Sequence, residues 1–561
     1  MMLRSSLFFN YCWQTTSKNI NFTQRINVFK YHSRGYSSAT PNTHSRPRVV
    51  VLGSGWSSIF FVKHLNPKQF DLTVVSPRNY FTFTPLLPKI MSGMANTITA
   101  SEPFLTFMKK RFKDNSTFVH ANCVDVDTKS NSVTCAPVDG ANTLFSINYD
   151  YLVIGVGSKT NSFGIRGVEK YAFFLKEVEH AEKVFQRVLD NFSAASMPFV
   201  SDEERRRLLH FVVVGGGPTG VESAGELSVL MNDYLSKVYP ELRQFVKVSI
   251  VEGGKRLLPT LRAESSEYVS RVFDRNNVNM CFGKVVCEVK EHSCVLKELA
   301  TGQTEEIGCG LVLWASGLKE TELVSKLQKK LNMPENSRAL LVDQYLRLQG
   351  TDNVFCLGDC CRLAPTRLSD NLEAVLNATG SPTLEALLKN RPKLARDFPQ
   401  VRRTKWKFKE EKFKSAVAEI MAKSEREAGG GGAGGETRET FLEILKHIDN
   451  TYTPPFPTAQ NAKQEAIYLA KMFNNGSLLG GGIAKAGFGE HWKGTLASLG
   501  GYRVVMNSPF VNLNGGLLPF FFWNSIYLIL FTSCKMRALF IVDLVMSFFT
   551  SRHIISKSHR N

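Results

Sequence analysis

The stretch Phe211-Val212-Val213-Val214-Gly215-Gly216-Gly217-Pro218-Thr219-Gly220 joins a strand-forming run to a helical one through a glycine-rich turn. An upstream stretch, Val49-Val50-Val51-Leu52-Gly53-Ser54-Gly55-Trp56-Ser57-Ser58, follows the same plan. Such turns bring backbone N–H groups at a helix N-terminus close to a pyrophosphate. One copy is weak evidence, because glycine-rich turns are common. Two in the same strand–turn–helix context imply two dinucleotides on one polypeptide, and electrons passing from a nicotinamide to a flavin. The expected fold is α/β: two Rossmann-like dinucleotide-binding domains, with a membrane-associated helical region at the C-terminus.

The two turns are not equally regular. Gly215, Gly217 and Gly220 keep the full spacing, and Glu252 closes the next strand. A carboxylate there would accept hydrogen bonds from ribose hydroxyls and repel a 2′-phosphate, favouring NADH over NADPH. Its distance from the glycines exceeds the usual interval of about 20 residues, implying a longer connecting helix. In the upstream turn Ser58 replaces the third glycine, and Ser76-Pro77-Arg78 stands where a ribose-binding acid is expected. Further parallel strands read from Tyr149–Gly157, Leu311–Gly317 and Asn353–Asp359. The last of these sets Asp359 at a strand's C-terminal end, where open parallel sheets bind ligands.

The chain has 561 residues, enough for two or three domains, and carries a net charge of +19. Nucleic acid is not implied, since no helix-turn-helix, zinc-finger or RNP pattern occurs. An anionic membrane surface accounts better for the charge. No acid precedes Asp71, and the basic, hydroxylated first 47 residues read as a mitochondrial targeting segment. Eleven cysteines without any C-x-x-C pair indicate reduced thiols and no metal site.

Residues 391–414 hold ten Lys or Arg, and Gly429–Gly435 is a linker, so 385–450 reads as a basic, Gly-rich insertion on the surface. Leu517–Cys534 and Ala538–Phe549 are apolar but short, fitting interfacial helices better than spans. Thr458 can cap a helix that projects Gln460 and Gln464 from one face.

The run Ser76-Pro77-Arg78-Asn79-Tyr80-Phe81-Thr82-Phe83-Thr84-Pro85-Leu86-Leu87-Pro88 resembles a segment of the type II, rotenone-insensitive NADH:quinone oxidoreductases of mitochondria. Pro457–Glu465 is similar to their quinone-site segment, and Gly215–Glu222, Leu313–Gly317 and Leu357–Cys360 also match. The resemblance implies FAD and NADH as cofactors, with ubiquinone and the inner membrane surface as partners. It implies reduction of quinone without proton pumping, and homodimerisation through the C-terminal region.

On the same footing, Gly53, Gly55, Ser76, Arg78, Gly157, Gly358 and Asp359 would hold FAD. Gly215, Gly217, Gly220 and Glu252 would hold NADH. Glu222 would lie near the nicotinamide–flavin stack, and Gln460 and Gln464 beside the quinone. The expected domains are an FAD-binding domain over 48–200 and 319–384, an NADH-binding domain over 201–318, a quinone-site segment over 451–505 and a membrane-anchoring region over 506–561.

Departures from the family pattern are Asn524 in place of a basic residue and Leu544 in place of Trp. No EF-hand loop is present, so calcium control is not expected. A sulfide:quinone oxidoreductase, which needs two cysteines near the flavin, is the alternative enzyme. A non-catalytic NADH/FAD-binding interaction protein is the alternative of another class.

Overall fold

The computed structural model describes residues 46–549 except 141–142, 335–336, 365, 396–397, 402–409, 428–436, 452–456, 478–486 and 509–511. The targeting segment expected over 1–47 therefore lies almost wholly outside the described residues, as does the Gly429–Gly435 linker. From Pro47 onward the chain forms one unit.

Strand β1 (Arg48–Leu52), helix α1 (Trp56–His64) and strand β2 (Asp71–Ser76) make the first strand–turn–helix–strand unit. Helix α2 (Leu87–Met91) follows, then β3 (Ser116–Asp127), β4 (Ser132–Pro137), β5 (Phe145–Asn148) and β6 (Tyr151–Ile154). The chain next builds a second sheet from β7 (Phe173–Phe174), β8 (His210–Val214), β9 (Lys247–Glu252), β10 (Val278–Phe282) and β11 (Leu311–Trp314). Helices α3 (Val178–Ala195) and α4 (Pro218–Val229) belong to this passage. Strand β12 (Val354–Cys356) then returns to the first sheet.

The first sheet has the order β12-β6-β1-β2-β3-β4-β5, parallel as far as β3 and antiparallel beyond. The second has the order β7-β11-β8-β9-β10 and is parallel throughout. The central strands are buried along their length, as the continuous apolar runs require of parallel strands covered on both faces. Strand β7 lies upstream of the boundary expected at residue 201, because a two-residue strand leaves no readable pattern. The long Gly220–Glu252 interval is filled as the spacing implies: α4 runs on through a π turn, Leu230–Leu235, into further helical turns ending at Phe245.

The segment read as a surface insertion has a core of its own. Helices α5 (Glu410–Glu427) and α6 (Arg438–Thr451) contribute Val417, Phe441, Ile444 and Leu445 to a cluster that also takes in Leu368 and Val375. The carboxylate of Asp449 accepts the backbone N–H groups of Leu368 and Ser369 at 2.9 and 3.0 Å, tying α6 to the chain before residue 385.

Helix α7 (Ala459–Asn474) is built into the first domain. Its Phe473 ring meets Phe61, Phe70, Tyr151 and Phe355 at centroid distances of 5.4, 5.7, 5.4 and 5.4 Å. Such pairs each add about 0.5–1.5 kcal/mol beyond the area they bury.

Strands β13 (Thr495–Ser498), β14 (Val504–Asn507) and β15 (Asn512–Gly515) form an antiparallel sheet, so the boundary expected at 505/506 falls inside β14. Helices α8 (Leu517–Leu530) and α9 (Cys534–Phe549) close the chain's described part. Phe83 seats them, meeting Tyr527 at 5.3 Å and Phe531 at 4.3 Å. Among the described residues no helix is long and apolar enough to cross a membrane. Outward faces stay apolar: Leu518 is 77% and Ile529 73% exposed.

Candidate active site

Each glycine turn is shaped by contacts that no larger residue would allow. Gly53 has φ +101°, and a Cβ there would stand 2.5 Å from the Gly155 carbonyl oxygen. Gly215 has φ +112°, and a Cβ on Gly220 would stand 1.8 Å from the Gly215 carbonyl oxygen. The second glycine of each turn is different: at Gly55 and Gly217 an added Cβ would meet nothing within 4 Å. Both cap a helix N-terminus, α1 and α4, so open space faces the partly positive end of each helix. Ser58 does fit the third position of the upstream turn, buried against Gly155.

A cleft of about 2870 Å³ runs along these features. Of the expected residues, Gly53, Gly55, Ser76, Arg78, Gly157, Asp359, Glu222, Gln460 and Gln464 line it. The start of α4 reaches it through Pro218 and Thr219. Gly215, Gly217, Gly220, Glu252 and Gly358 lie outside that lining and shape the turns behind it. The open space at Gly55 and Gly157 and the size of the cleft fit a flavin dinucleotide.

The Ser-Pro-Arg segment forms a polar knot in place of an acid. Ser76 Oγ donates to Ser54 Oγ at 3.0 Å and accepts the Arg78 N–H at 3.1 Å. The Arg78 guanidinium pairs with the Glu177 carboxylate, at the N-cap of α3. Sequence reading missed Glu177, which lies 99 residues from Arg78 and belongs to no glycine motif.

Deeper in, Ser158 Oγ donates to Asp359 Oδ2 at 2.9 Å, and Lys176 Nζ donates to Ser158 Oγ at 2.8 Å. Burial lowers the Lys176 pKa, while Asp359 and Glu177 oppose that shift. The Gly358 N–H donates at 2.6 Å to Glu465 Oε2, whose carboxyl burial pushes up to about 8. Glu252 does the same office in the second domain, accepting from the Gly216 and Gly254 N–H groups, each at 2.6 Å.

Thr458 caps α7 as expected, its Oγ1 accepting the Asn461 N–H at 3.2 Å. Gln460 Oε1 accepts the Lys493 N–H at 2.9 Å, and Gln464 Oε1 accepts the His491 N–H at 2.9 Å. The two amides thus hold the 491–493 segment against the cleft rather than standing free in solvent. Trp523, Ile526, Tyr527 and Leu530 of α8 give the same cleft an apolar wall.

Glu222 projects from α4 into the cleft, its Oε1 accepting the Ser498 N–H at 3.2 Å. Burial pushes its pKa up to about 8; Ser498 and Lys89 pull it down and Glu226 pushes it further up. Cys123 is the one cysteine lining the cleft among the described residues, whereas a sulfide oxidoreductase would need two beside the flavin. No group of three or more His, Cys, Asp or Glu among the described residues could hold a metal ion.

Comparison with known proteins agrees with this geometry. Residues 47–383 match the pyridine nucleotide-disulphide oxidoreductase family, and residues 492–553 match the NDH2 C-terminal domain. An external alternative NAD(P)H-ubiquinone oxidoreductase, B3, mitochondrial, from Arabidopsis thaliana is 31% identical over 94% of this chain and 93% of its own length. The structure of NDH2 from Plasmodium falciparum in complex with NADH has 34% identity and a TM-score of 0.82, covering 91% of this chain and 100% of its own. A sulfide:quinone oxidoreductase from Aquifex aeolicus shares the fold at 17% identity, with a TM-score of 0.58. The pyridine nucleotide-disulphide oxidoreductase match, the NDH2 C-terminal domain and full-length likeness together place this chain in the alternative, type II NAD(P)H:ubiquinone oxidoreductases.

Proposed function

We propose that the chain oxidises NADH and reduces ubiquinone at the surface of the inner mitochondrial membrane, without pumping protons. The observation that carries this reading is one cleft shared by the upstream glycine turn, the start of α4, the two α7 glutamines and the apolar wall of α8.

Gly53 and Gly55 would hold the FAD pyrophosphate at the N-terminus of α1, with Gly157 leaving room beside it. Arg78, oriented by Ser76 and Glu177, would reach the ribose, and Asp359 with Ser158 the polar chain of the flavin. When bound, FAD supplies the two-electron chemistry that links hydride from NADH to ubiquinone. The Gly215–Gly220 turn would hold the NADH pyrophosphate, and Glu252 the ribose hydroxyls. Glu222 would face the reacting rings. Gln460 and Gln464 would keep the 491–493 segment beside the quinone head group.

Exposed Leu518, Phe521, Phe522 and Ile529 on α8, with Ile541, Val542 and Val545 on α9, support membrane docking. Quinone would then enter along the α8 wall. The reading includes pairing of two copies through the C-terminal region.

The test is reduction of a short-chain ubiquinone by purified, detergent-solubilised protein, with NADH, NADPH and sulfide as parallel donors. Fast turnover with NADH, little with NADPH and none with sulfide is expected. A flavin that NADH bleaches but quinone cannot reoxidise would overturn the reading in favour of a non-catalytic NADH-binding protein.

A further inference from the structure

Helix α7 has a second polar face that the roles above leave unused. Gln460 and Gln464 hold the 491–493 segment through the Lys493 and His491 N–H groups. Asn461 and Glu465 each follow them by one residue, so they point about 100° further round the helix. That face is buried: Asn461 is 8% and Glu465 6% exposed. Asn461 Nδ2 donates to Glu465 Oε1 at 2.8 Å, and the Gly358 N–H donates to Glu465 Oε2 at 2.6 Å. One oxygen of the carboxyl therefore meets its own helix, and the other meets the turn that carries Asp359.

The turn has little freedom on that side. Gly358 has φ +75°, and a Cβ there would stand 3.4 Å from Ala462 Cβ of α7 and 3.4 Å from Ser57 Oγ of α1. From the same turn Asp359 faces the cleft, its Oδ2 accepting from Ser158 Oγ at 2.9 Å. Burying a carboxyl is costly, and a methionine would fill the same space without that cost. Packing alone therefore does not account for an acid. Its two acceptors do, because they fix the backbone of the turn to the helix at hydrogen-bond length. Between Gln460 and Glu465 a single length of helix thus grips the Gly358 turn on one face and the 491–493 segment on another.

We propose that Glu465 is a positioning residue that makes α7 a strut: it ties the Gly358–Asp359 turn to the helix, so that the protein's hold on its flavin depends on the far face of α7, where Gln464 grips His491. This rests on the reading of Asp359 as a flavin contact and of Gln464 as standing beside the quinone. A rearrangement on the quinone side then reaches the flavin through α7. Such coupling is reciprocal, so loosening the turn also loosens the 491–493 segment.

The test is release of FAD from the holoenzyme at pH 7, followed by the recovery of flavin fluorescence with neither NADH nor quinone present. Glu465→Met removes both hydrogen bonds and should speed release by about tenfold or more. Glu465→Gln should stay near wild type. At this pH burial keeps the carboxyl protonated, and an amide oxygen can accept the same Gly358 N–H. Asn461 Oδ1, which has no hydrogen-bond partner among the described protein atoms, can turn to accept the new amide N–H. Gln464 bonds to the Gln460 carbonyl and to His491. Gln464→Ala should nonetheless speed FAD release by about fivefold, and should add nothing in the Glu465→Met background, where the strut is already cut. Hydrogen exchange reads the reverse direction. Glu465→Met should speed exchange of the His491 and Lys493 amides by a similar factor, although the hydrogen bonds of Glu465 go to Gly358 and Asn461.

Additive effects of Glu465→Met and Gln464→Ala overturn the proposal, as does a Gln464→Ala protein that releases FAD at the wild-type rate. So does wild-type release, or unchanged exchange at 491–493, in a Glu465→Met protein shown to be folded by circular dichroism. Release from Glu465→Gln as fast as from Met overturns it as well, since the hydrogen bonds are then not what holds the turn. None of these readings involves turnover. They can therefore fail while the wild type still reduces quinone, and they can succeed where quinone reduction fails.

Discussion

The two glycine turns solve one problem with different residues. In the downstream turn Gly220 lets α4 press directly on Gly215, and Glu252 folds back to accept the Gly216 N–H. In the upstream turn Ser58 stands where Gly220 stands, and no acid closes β2. Its place is taken by Ser54, Ser76 and Arg78, with Glu177 arriving from a distant helix. The downstream turn is thus closed by an acid of its own strand–turn–helix–strand unit, whereas the upstream one also draws a carboxylate from a helix 99 residues away. That difference decides how each should respond to substitution.

The largest effect is expected at the point of closest approach. A valine at Gly220 would drive its Cβ into the Gly215 carbonyl at 1.8 Å, so the turn or the helix must move. Gly220→Val should cost at least about 3 kcal/mol and abolish NADH binding, read by denaturant unfolding and by calorimetry. A variant that unfolds like wild type and still binds NADH would show that the downstream turn is no more rigid than the upstream one.

Next in size is a pH effect at the carboxyl that closes the Gly358 turn. Glu465, which accepts the Gly358 N–H, is 6% exposed and holds its proton up to about 8. Between the ordinary glutamate value and that point the folded state binds more protons than the unfolded one. Stability therefore falls as pH rises through this window, and the loss is complete above about 8. Glu222 acts in the same direction. Glu465→Gln should flatten the dependence of the unfolding free energy on pH by an amount of order a few kcal/mol across this window.

The second glycine of each turn offers a cleaner contrast. An added methyl at Gly55 or Gly217 meets no protein atom within 4 Å, so the cofactor-free fold should melt within about 2 °C of wild type. Binding should suffer instead, by about tenfold to a hundredfold, as one or two charge-assisted hydrogen bonds are lost. Gly55→Ala should weaken flavin retention, and Gly217→Ala should raise the KM for NADH. Exchange of the two phenotypes would reverse the assignment of the domains. Glu252→Gln should act more gently, relaxing the preference for NADH over NADPH by about tenfold in kcat/KM.

How much of this was legible in the sequence follows from the same contrast. Elements whose signal is local were readable: the apolar runs of β1, β6, β8 and β11, the downstream glycines and Thr458 as a helix cap. The long interval before Glu252 correctly announced extra helix after α4. What depends on distant pairing was hidden. Glu177 meets Arg78 only through the fold, and β7 has two residues. The α5 and α6 faces look solvated until Leu368 and Val375 pack on them. Gln460 and Gln464 could be placed on one face of α7, but nothing in their spacing told that they would hold residues 491–493.

The smallest expected effect tests the upstream turn at its irregular point. Ser58 is 1% exposed, and its Oγ finds no hydrogen-bond partner among the described protein atoms. A buried hydroxyl without a partner carries a desolvation cost, and removing it leaves only a small void. Ser58→Ala should therefore stabilise the protein by about 1 kcal/mol, raising the thermal midpoint, with flavin content unchanged. Ser58→Gly restores the regular third glycine but frees the unfolded chain, so it should gain less than alanine. If glycine instead proves the more stable variant, α1 is held off β1 by the side chain at position 58. The two turns would then differ by strain as well as by choice of residue.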